Sequence, residues 1–353
     1  MRLLVVNGPD LEPLEIGDPE WSGSKTLSEL EARIEGWGQA MGTDVVIEQC
    51  NDEAAIVELI HEFDGEGIVL NPGAFTHASR AIADAIEAVP TPVVEVHIGN
   101  VARSIMTEVC VRTTFGRGLG GYRDAMRHLV NRLAMPFETV QYGPHPDNVV
   151  DLRGKGDDLV VLAHGGLWKQ EFERDTTESL AIDLARRGYR TWNLEYRRLG
   201  DGGGWPGSGA DVLTALDTLP VLPGGTRRIF LIGHSAGAYL LMWAAPRTRS
   251  EVAMHVGLAP LLDLRTAVDS GDVGAEQCSA LIERGAPHQA SPDGVPSVLV
   301  HGDGDQIVPV ARSIAFAARH GLTHHHTGVD HFSLLDPSKP EWAWVVEQMD
   351  SMR

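Results

Sequence analysis

The stretch Ile229-Phe230-Leu231-Ile232-Gly233-His234-Ser235-Ala236-Gly237 joins a continuous apolar run to the pattern G-x-S-x-G. The residues that follow, 239–243 (YLLMW), are apolar and bulky, so the pattern lies between a predicted buried strand and a predicted helix. A serine on so sharp a turn takes a strained backbone, and a side chain at position 233 or 237 would collide with the adjoining strand and helix. The order of strand, turn and helix predicts that Ser235 is a nucleophile, with a chance Gly-Ser turn as the alternative.

A second motif, His164-Gly165-Gly166-Leu167-Trp168, begins at the end of the predicted apolar strand 159–166, about 70 residues before this serine. Acyl transfer needs preorganised N–H groups directed at the oxyanion that forms on the substrate carbonyl. Glycines after a strand let the main chain come close enough to supply them. We expect the backbone amides of Gly165, Gly166 and Leu167, together with that of Ala236, to form an oxyanion hole.

An acid and a histidine are expected downstream of the serine, in that order. The run 298–305 (VLVHGDGD) predicts a strand followed by a polar turn, and Asp305 is assigned as the orienting acid. His331 is assigned as the general base, with the histidines at 324–326 as rivals. Asp303 is the competing acid and is expected to cap its own turn, while Asp330 could orient its neighbour locally. His301 and His234 are expected to pack or to edge the oxyanion hole.

Residues 136–353 have a mixed α/β order around this serine. Strands are predicted at 137–143, 149–154, 159–166, 189–195, 229–232, 252–258 and 296–301, and helices at 175–187, 209–219, 309–320 and about 340–350. The motifs YGPHPDNVVDL (142–152), HGGLW, EYRRLGDGGGWP (195–206), GHSAG, HGDGDQIVP (301–309) and DHF (330–332) resemble the α/β-hydrolases of the hormone-sensitive-lipase and kynurenine-formamidase-like groups. The resemblance implies an esterase or amidase with a short cap at about 259–292.

Residues 1–135 predict a separate unit with a parallel sheet covered on both faces. Strands are expected at 2–7, 44–49, 67–71 and 92–98, and helices from Thr26 onward, at 52–63, 77–88 and 121–134. In such sheets a ligand sits at the carboxyl ends of the strands. Those ends carry 7–9 (NGP), 71–73 (NPG) and 95–97 (EVH).

The segments NGPDL (7–11), EQCND (48–52), NPGAFTHAS (71–79), EVHIGN (95–100) and GLGGY (118–122) resemble the type II 3-dehydroquinate dehydratases. The resemblance implies a flavodoxin-like domain that assembles as a homo-oligomer, up to a dodecamer. It also implies that a cyclic carboxylic acid binds there. The family's substrate-binding and general-acid positions match Asn71, His77, Glu95, His97 and Arg103.

The family's catalytic loop is altered in this chain. Gly17 stands at the position of its arginine, and Ser22 stands at that of its tyrosine base. Asp10 and Glu12 replace asparagines, and Thr107 lies near the place of a second arginine. Serine has too high an unperturbed pKa to replace a tyrosine base. We therefore expect this domain to be inactive as a dehydratase and to act as a scaffold or ligand-binding platform.

Composition limits the remaining possibilities. The 353 residues are 43% hydrophobic, which favours a globular protein. Their formal net charge of -20 opposes binding to nucleic acid or to anionic membranes. No apolar run reaches bilayer length, and the first residues lack a signal-peptide pattern. Cys50, Cys110 and Cys278 are scattered, which indicates reduced thiols in the cytoplasm. The tract 324–326 (HHH) is expected to be a solvent-exposed loop, and neither a metal nor an organic cofactor is expected.

The sequence thus predicts a flavodoxin-like domain fused to a serine hydrolase that cleaves a small ester or aryl amide. A bifunctional enzyme whose first domain retains lyase activity is the alternative. A non-enzymatic assembly protein with two degenerate sites is the third hypothesis.

Overall fold

The computed structural model describes residues 1–9, 27–99, 101, 104–115, 118–170, 172–200, 202–218 and 227–352. The chain divides into two compact units, Met1–Ala134 and Met135–Arg353. The predicted boundary after residue 135 differs from this division by one residue. Among the described residues, no helix has both the length and the apolarity needed to cross a membrane.

The first unit is a five-stranded parallel sheet between two layers of helices. Its strands are β1 (Arg2–Asn7), β2 (Asp44–Gln49), β3 (Gly67–Asn71), β4 (Val93–Val96) and β5 (Arg112–Thr114), in the order β2-β1-β3-β4-β5. Its helices are α1 (Leu27–Ala40), α2 (Glu53–Glu62), α3 (Arg80–Ala88) and α4 (Gly120–Ala134). The strand residues alternate between two apolar clusters, one under α1 and α4 and the other under α2 and α3. This is the predicted flavodoxin-like arrangement.

Two predictions for this unit need correction. The helix predicted at 77–88 is a 3-10 turn at Gly73–His77 followed by α3, because the Ser79 side chain accepts the Ile82 N–H and caps a new helix there. Strand β5 was absent from the prediction, since three polar residues (RTT) have no apolar periodicity. Thr26, which was expected to begin the first helix, lies outside the described residues.

The second unit is built on an eight-stranded sheet of mixed direction. Its strands are β6 (Glu138–Gln141), β7 (Val149–Arg153), β8 (Asp158–Ala163), β9 (Arg190–Leu194), β10 (Arg228–His234), β11 (Val252–Leu258), β12 (Ser297–Gly302) and β13 (Thr323–Thr327). The order is β13-β12-β11-β10-β8-β9-β7-β6, and only the pairs β6–β7 and β7–β9 are antiparallel.

The described residues of this unit form seven α-helices beside the sheet. They are α5 (Glu178–Arg186), α6 (Gly207–Thr218), α7 (Ala236–Ala244), α8 (Leu264–Ser270), α9 (Ala275–Glu283), α10 (Val310–His320) and α11 (Pro340–Asp350). One apolar cluster lies under α6, α7 and α10, and a second lies under α5 and α11. The segment expected to form a cap, 259–292, contains α8 and α9.

The tract 324–326 is not a loop, contrary to the prediction. It forms the edge strand β13, which pairs in parallel with β12 through His324↔Leu299 and His325↔Val300. The His325 ring stacks on Trp344 with centroids 4.4 Å apart. Since successive strand residues point to opposite faces, the three rings do not converge. Among the described residues, no group of three His, Cys, Asp or Glu side chains could hold a metal ion.

Candidate active sites

Ser235 lies on a strained turn between β10 and α7. Its backbone has φ 52° and ψ −117°, a combination that non-glycine residues adopt rarely. A Cβ at Gly237 would lie 2.3 Å from the carbonyl oxygens of both Ala163 and His164, and one at Gly233 would lie 2.3 Å from Ala238 Cα. Both glycines are therefore required by close packing, as the sequence predicted. Strain at this serine is typical of functional sites.

The loop after β8 passes directly beside this serine. A Cβ at Gly165 would lie 2.8 Å from Ser235 Cβ, so only a glycine allows the main chain to come so close. Gly166, Leu167 and Trp168 have positive φ values of 99°, 54° and 57°. Helix α7 begins at Ala236, whose N–H lies in the first turn, where amides lack partners within the helix. All the backbone groups proposed for the oxyanion hole thus lie on two segments that adjoin Ser235.

Asp305 and His331 form a hydrogen-bonded pair. Asp305 Oδ2 lies 2.6 Å from His331 Nδ1, and Asp305 Oδ1 accepts the backbone N–H groups of Ile307 and Val308 at 2.8 and 2.9 Å. Burial alone would raise the pKa of Asp305, but hydrogen bonds from His301 and His331 outweigh burial, so this pKa lies well below the usual range. Asp305 is therefore a carboxylate that accepts the His331 Nδ1–H, and His331 Nε2 stays outside this pair.

The rival residues have other partners. Asp303 does not cap its own turn as expected, because Asp303 Oδ1 lies 2.8 Å from His326 Nε2 on β13. Asp330 accepts the backbone N–H groups of Phe332 and Ser333 at 2.9 and 2.8 Å, so it caps the following 3-10 turn. Neither carboxylate has a recorded hydrogen bond to His331 among the described residues.

Two buried histidines support the pair. His301 Nε2 lies 2.8 Å from Asp305 Oδ2 and 3.0 Å from the Val308 carbonyl, while its Nδ1 lies 2.6 Å from Ser313 Oγ. His234 Nε2 donates to the His331 carbonyl at 3.0 Å, and burial lowers the pKa of His234 to about 3. The sequence interpretation assigned both residues to packing or to the edge of the oxyanion hole and did not predict these contacts. The spacing of four residues between His301 and Asp305 was the available signal.

The N-terminal unit holds a second polar cluster at the carboxyl ends of its strands. Asn71 Nδ2 donates to Tyr122 Oη at 2.8 Å, and Tyr122 donates to Asn7 Oδ1 at 2.7 Å. Burial raises the pKa of Tyr122 above its usual range. The phenol is therefore neutral and ill-suited to replace a tyrosine base. Sequence analysis did not single out Tyr122, although it ends the motif GLGGY.

Glu95 and His97 lie together in this cluster. Glu95 Oε1 lies 2.8 Å from His97 Nε2 and also accepts the Ser104 hydroxyl, while its other oxygen accepts from Thr113 at 2.9 Å. Burial would raise the pKa of Glu95, but the hydrogen bonds from His97 and Ser104 together lower it. Glu95 is thus a buried carboxylate that orients the imidazole.

Of the two other residues predicted for this site, the structure describes only His77. His77 ends the 3-10 turn Gly73–His77 and is exposed. Arg103 lies outside the described residues. So do Asp10, Glu12, Gly17 and Ser22 of the altered loop.

Comparisons with known proteins match the two units separately. Residues 1–130 match the family model of dehydroquinase class II. The 3-dehydroquinate dehydratase of Thermotoga maritima is 41% identical over 140 residues, which make up 38% of this chain and 97% of that protein. The crystal structure of the type II dehydroquinase from Butyrivibrio crossotus is 38% identical over 36% of this chain and 97% of its own, with a TM-score of 0.34.

The remainder of the chain is similar to a different class of solved structure. Esterase B from Lactobacillus rhamnosis matches 65% of this chain and 89% of its own length, with 18% identity and a TM-score of 0.55. This likeness shows an α/β-hydrolase fold, in agreement with the strand order of the second unit. Through the 41% identity that spans nearly the whole of the Thermotoga enzyme, the chain belongs over its N-terminal unit to the class II dehydroquinase family.

Proposed function

We propose that the C-terminal unit is a serine hydrolase that cleaves a small ester or aryl amide through Ser235, His331 and Asp305. The observation that carries this proposal is a strained serine between a buried strand and a helix in a chain that also pairs Asp305 with His331. A fold shared with a protein named esterase B supports the proposal.

In the proposed reaction, Ser235 Oγ attacks the substrate carbonyl carbon while its proton passes to His331 Nε2. The oxyanion accepts hydrogen bonds from the Ala236 amide and from the amides of the 165–167 loop. His331 then protonates the leaving group as the tetrahedral intermediate collapses to an acyl-serine. Water, deprotonated by His331, attacks the acyl group and releases the acid, which restores the serine hydroxyl. No metal or organic cofactor enters this scheme.

Replacing the nucleophile tests the proposal. Ser235→Ala should lower kcat for p-nitrophenyl acetate by about four to six orders of magnitude, because nucleophile variants of serine hydrolases retain only oxyanion stabilisation and binding. Ser279→Ala serves as the matched control and should keep wild-type activity, since this hydroxyl donates to Glu283 on α9 at 3.1 Å. A fluorophosphonate probe should label the wild type and Ser279→Ala but not Ser235→Ala. Undiminished hydrolysis by Ser235→Ala would contradict the assignment.

The leaving group is a finer part of the proposal. An aryl-formamidase activity is expected from the similarity of residues 164–168 and 330–332 to that group. A panel of acetyl, butyryl and longer acyl esters, with N-formylkynurenine as the aryl amide, separates the two classes. Hydrolysis of the esters alone would make the protein a carboxylesterase.

For the N-terminal unit we propose a platform without dehydratase activity, which holds the chains in a homo-oligomer of up to a dodecamer and retains a pocket for a cyclic carboxylic acid. Gly17 and Ser22 leave the family's base and its arginine without replacement. The Glu95–His97 pair supports the retained pocket. Native mass measurement of the full chain gives the number of subunits. Bifunctional activity is the alternative, since the same pair is also a general-acid arrangement.

A further inference from the structure

His164 is enclosed in the second unit, and both of its ring nitrogens face hydrogen-bond acceptors. Its Nε2 lies 2.9 Å from Glu195 Oε1, and its Nδ1 lies 2.7 Å from the Gly165 carbonyl oxygen. The residue is 0% exposed. A neutral imidazole carries one N–H and one bare lone pair, so one of these two contacts would place a lone pair against an oxygen. Both contacts are favourable only when the ring is an imidazolium.

The surroundings of Glu195 supply the opposing charge. This carboxylate is 2% exposed, and Arg198 Nη1 donates to it at 3.0 Å, as does the Arg174 backbone N–H. Burial would raise the pKa of Glu195, but the nearby His164 and Arg198 outweigh burial and hold this pKa well below its usual value. Asp151 binds Arg174 at 2.8 Å and Asp147 binds Arg198 at 3.2 Å. Glu173 acts on both arginines as well, so the carboxylates of this cluster outnumber the arginines and favour a further cation at 164.

The hydrogen bonds of this cluster fix three consecutive peptide groups of the loop beside Ser235. The Tyr196 hydroxyl donates to the His164 carbonyl at 2.8 Å, His164 Nδ1 donates to the Gly165 carbonyl, and the Lys169 N–H donates to the Gly166 carbonyl at 2.9 Å. In a planar trans peptide, the C=O of one residue and the N–H of the next point in opposite directions. Anchoring these three carbonyls therefore sets the directions of the N–H groups of residues 165, 166 and 167.

We propose that His164 is a buried imidazolium, paired with Glu195, and that its charge positions the Gly166 amide for the developing oxyanion. This inference rests on the proposed hydrolase function. His164 and Glu195 are positioning residues, since neither is placed against the substrate. Among the described residues, Tyr196 and His234 also face His164: the Tyr196 ring stacks on it with centroids 4.4 Å apart, and burial keeps His234 neutral.

The charge of His164 can be measured without turnover. Magic-angle-spinning NMR on protein labelled with 15N-histidine distinguishes a ring with two protonated nitrogens from a ring with one, and His164→Gln identifies the signal. In the wild type at pH 8 we expect both His164 nitrogens to carry protons, because each faces a hydrogen-bond acceptor. Glu195→Gln should return the ring to one proton. A bare ring nitrogen on wild-type His164 at pH 8 overturns the proposal.

Kinetics test the positioning role. Glu195→Gln and His164→Gln should each lower kcat for p-nitrophenyl acetate about tenfold or more with little change in KM, because oxyanion donors act mainly in the transition state. Glu178→Gln is the matched control, since Glu178 is an equally buried carboxylate whose partner is Arg153. If Glu195→Gln and Glu178→Gln have equal kcat while turnover still requires Ser235, the positioning role is contradicted and the proposed hydrolase function is not. Loss of Ser235 dependence contradicts the proposed function, and the NMR result still decides the charge.

Discussion

His255 on β11 is an enclosed polar side chain whose burial is expected to affect acid stability. It is 0% exposed, and a contact with the backbone of Ala238, which favours the protonated ring, is outweighed by that burial. Burial lowers the pKa of His255 to about 4. The pKa of His255 in the folded protein lies below its value of about 6.5 in the unfolded chain. The folded state therefore has its full stability above about pH 6.5, and the free energy of unfolding decreases as the pH falls toward 4.

Replacing His255 by leucine should remove this loss. Between pH 7.5 and pH 5, protonation of His255 in the unfolded chain should lower the free energy of unfolding of the wild type by about 2 kcal/mol. The leucine variant lacks this contribution, so its free energy of unfolding should fall by about 2 kcal/mol less over the same pH range. Urea denaturation of the second unit at both pH values measures the difference. His288→Leu, an exposed position in the same unit, should retain the wild-type pH dependence. Parallel pH curves for wild type and His255→Leu would exclude His255 as a source of acid sensitivity.

At the scale of elements, the junction of β8, β10 and α7 is held by backbone contacts that leave no room for a methyl group. Gly237→Ala would place Cβ 2.3 Å from two carbonyl oxygens of the strand β8 and the residue after it. We expect a loss of about 1–3 kcal/mol in stability, the usual cost of overpacking, together with reduced ester hydrolysis as Ser235 is displaced. Gly328→Ala is the control, since a Cβ there meets no atom within 4 Å. Urea midpoints and p-nitrophenyl acetate assays on both variants check this, and equal behaviour would contradict it.

Sequence patterns predicted the strands and helices whose apolar residues are buried in a core. Strands β8 and β10 have continuous apolar runs, 159–163 and 229–232, and the glycines around Ser235 are required by contacts within a short segment. Strand β13 was taken for a loop, because edge strands have one solvent-facing side and three histidines give no alternation. The link between His164 and Glu195 could not be predicted either. The two residues are 31 positions apart, and only the fold brings β8 and β9 side by side.

At the scale of the whole molecule, the chain joins two α/β units that have separate cores. The apolar clusters of residues 1–134 contain only residues of that unit, and those of residues 135–353 likewise. Each unit also has its own polar cluster. The two sites can be tested independently on one preparation of the full chain.

That independence makes the dehydratase question decidable. The full chain should form no enone from 3-dehydroquinate, because Ser22 and Gly17 supply neither a base nor a cation where the family places them, while Asp10 and Glu12 repel an anionic substrate. Ultraviolet absorbance of the enone measures this, and hydrolysis of p-nitrophenyl acetate by the same sample shows that the protein is folded. Enone formation at ordinary enzyme concentrations would favour the bifunctional alternative. His97→Asn would then decide its origin, since turnover at this site requires the imidazole held by Glu95, whereas a contaminating dehydratase would be unaffected by the substitution.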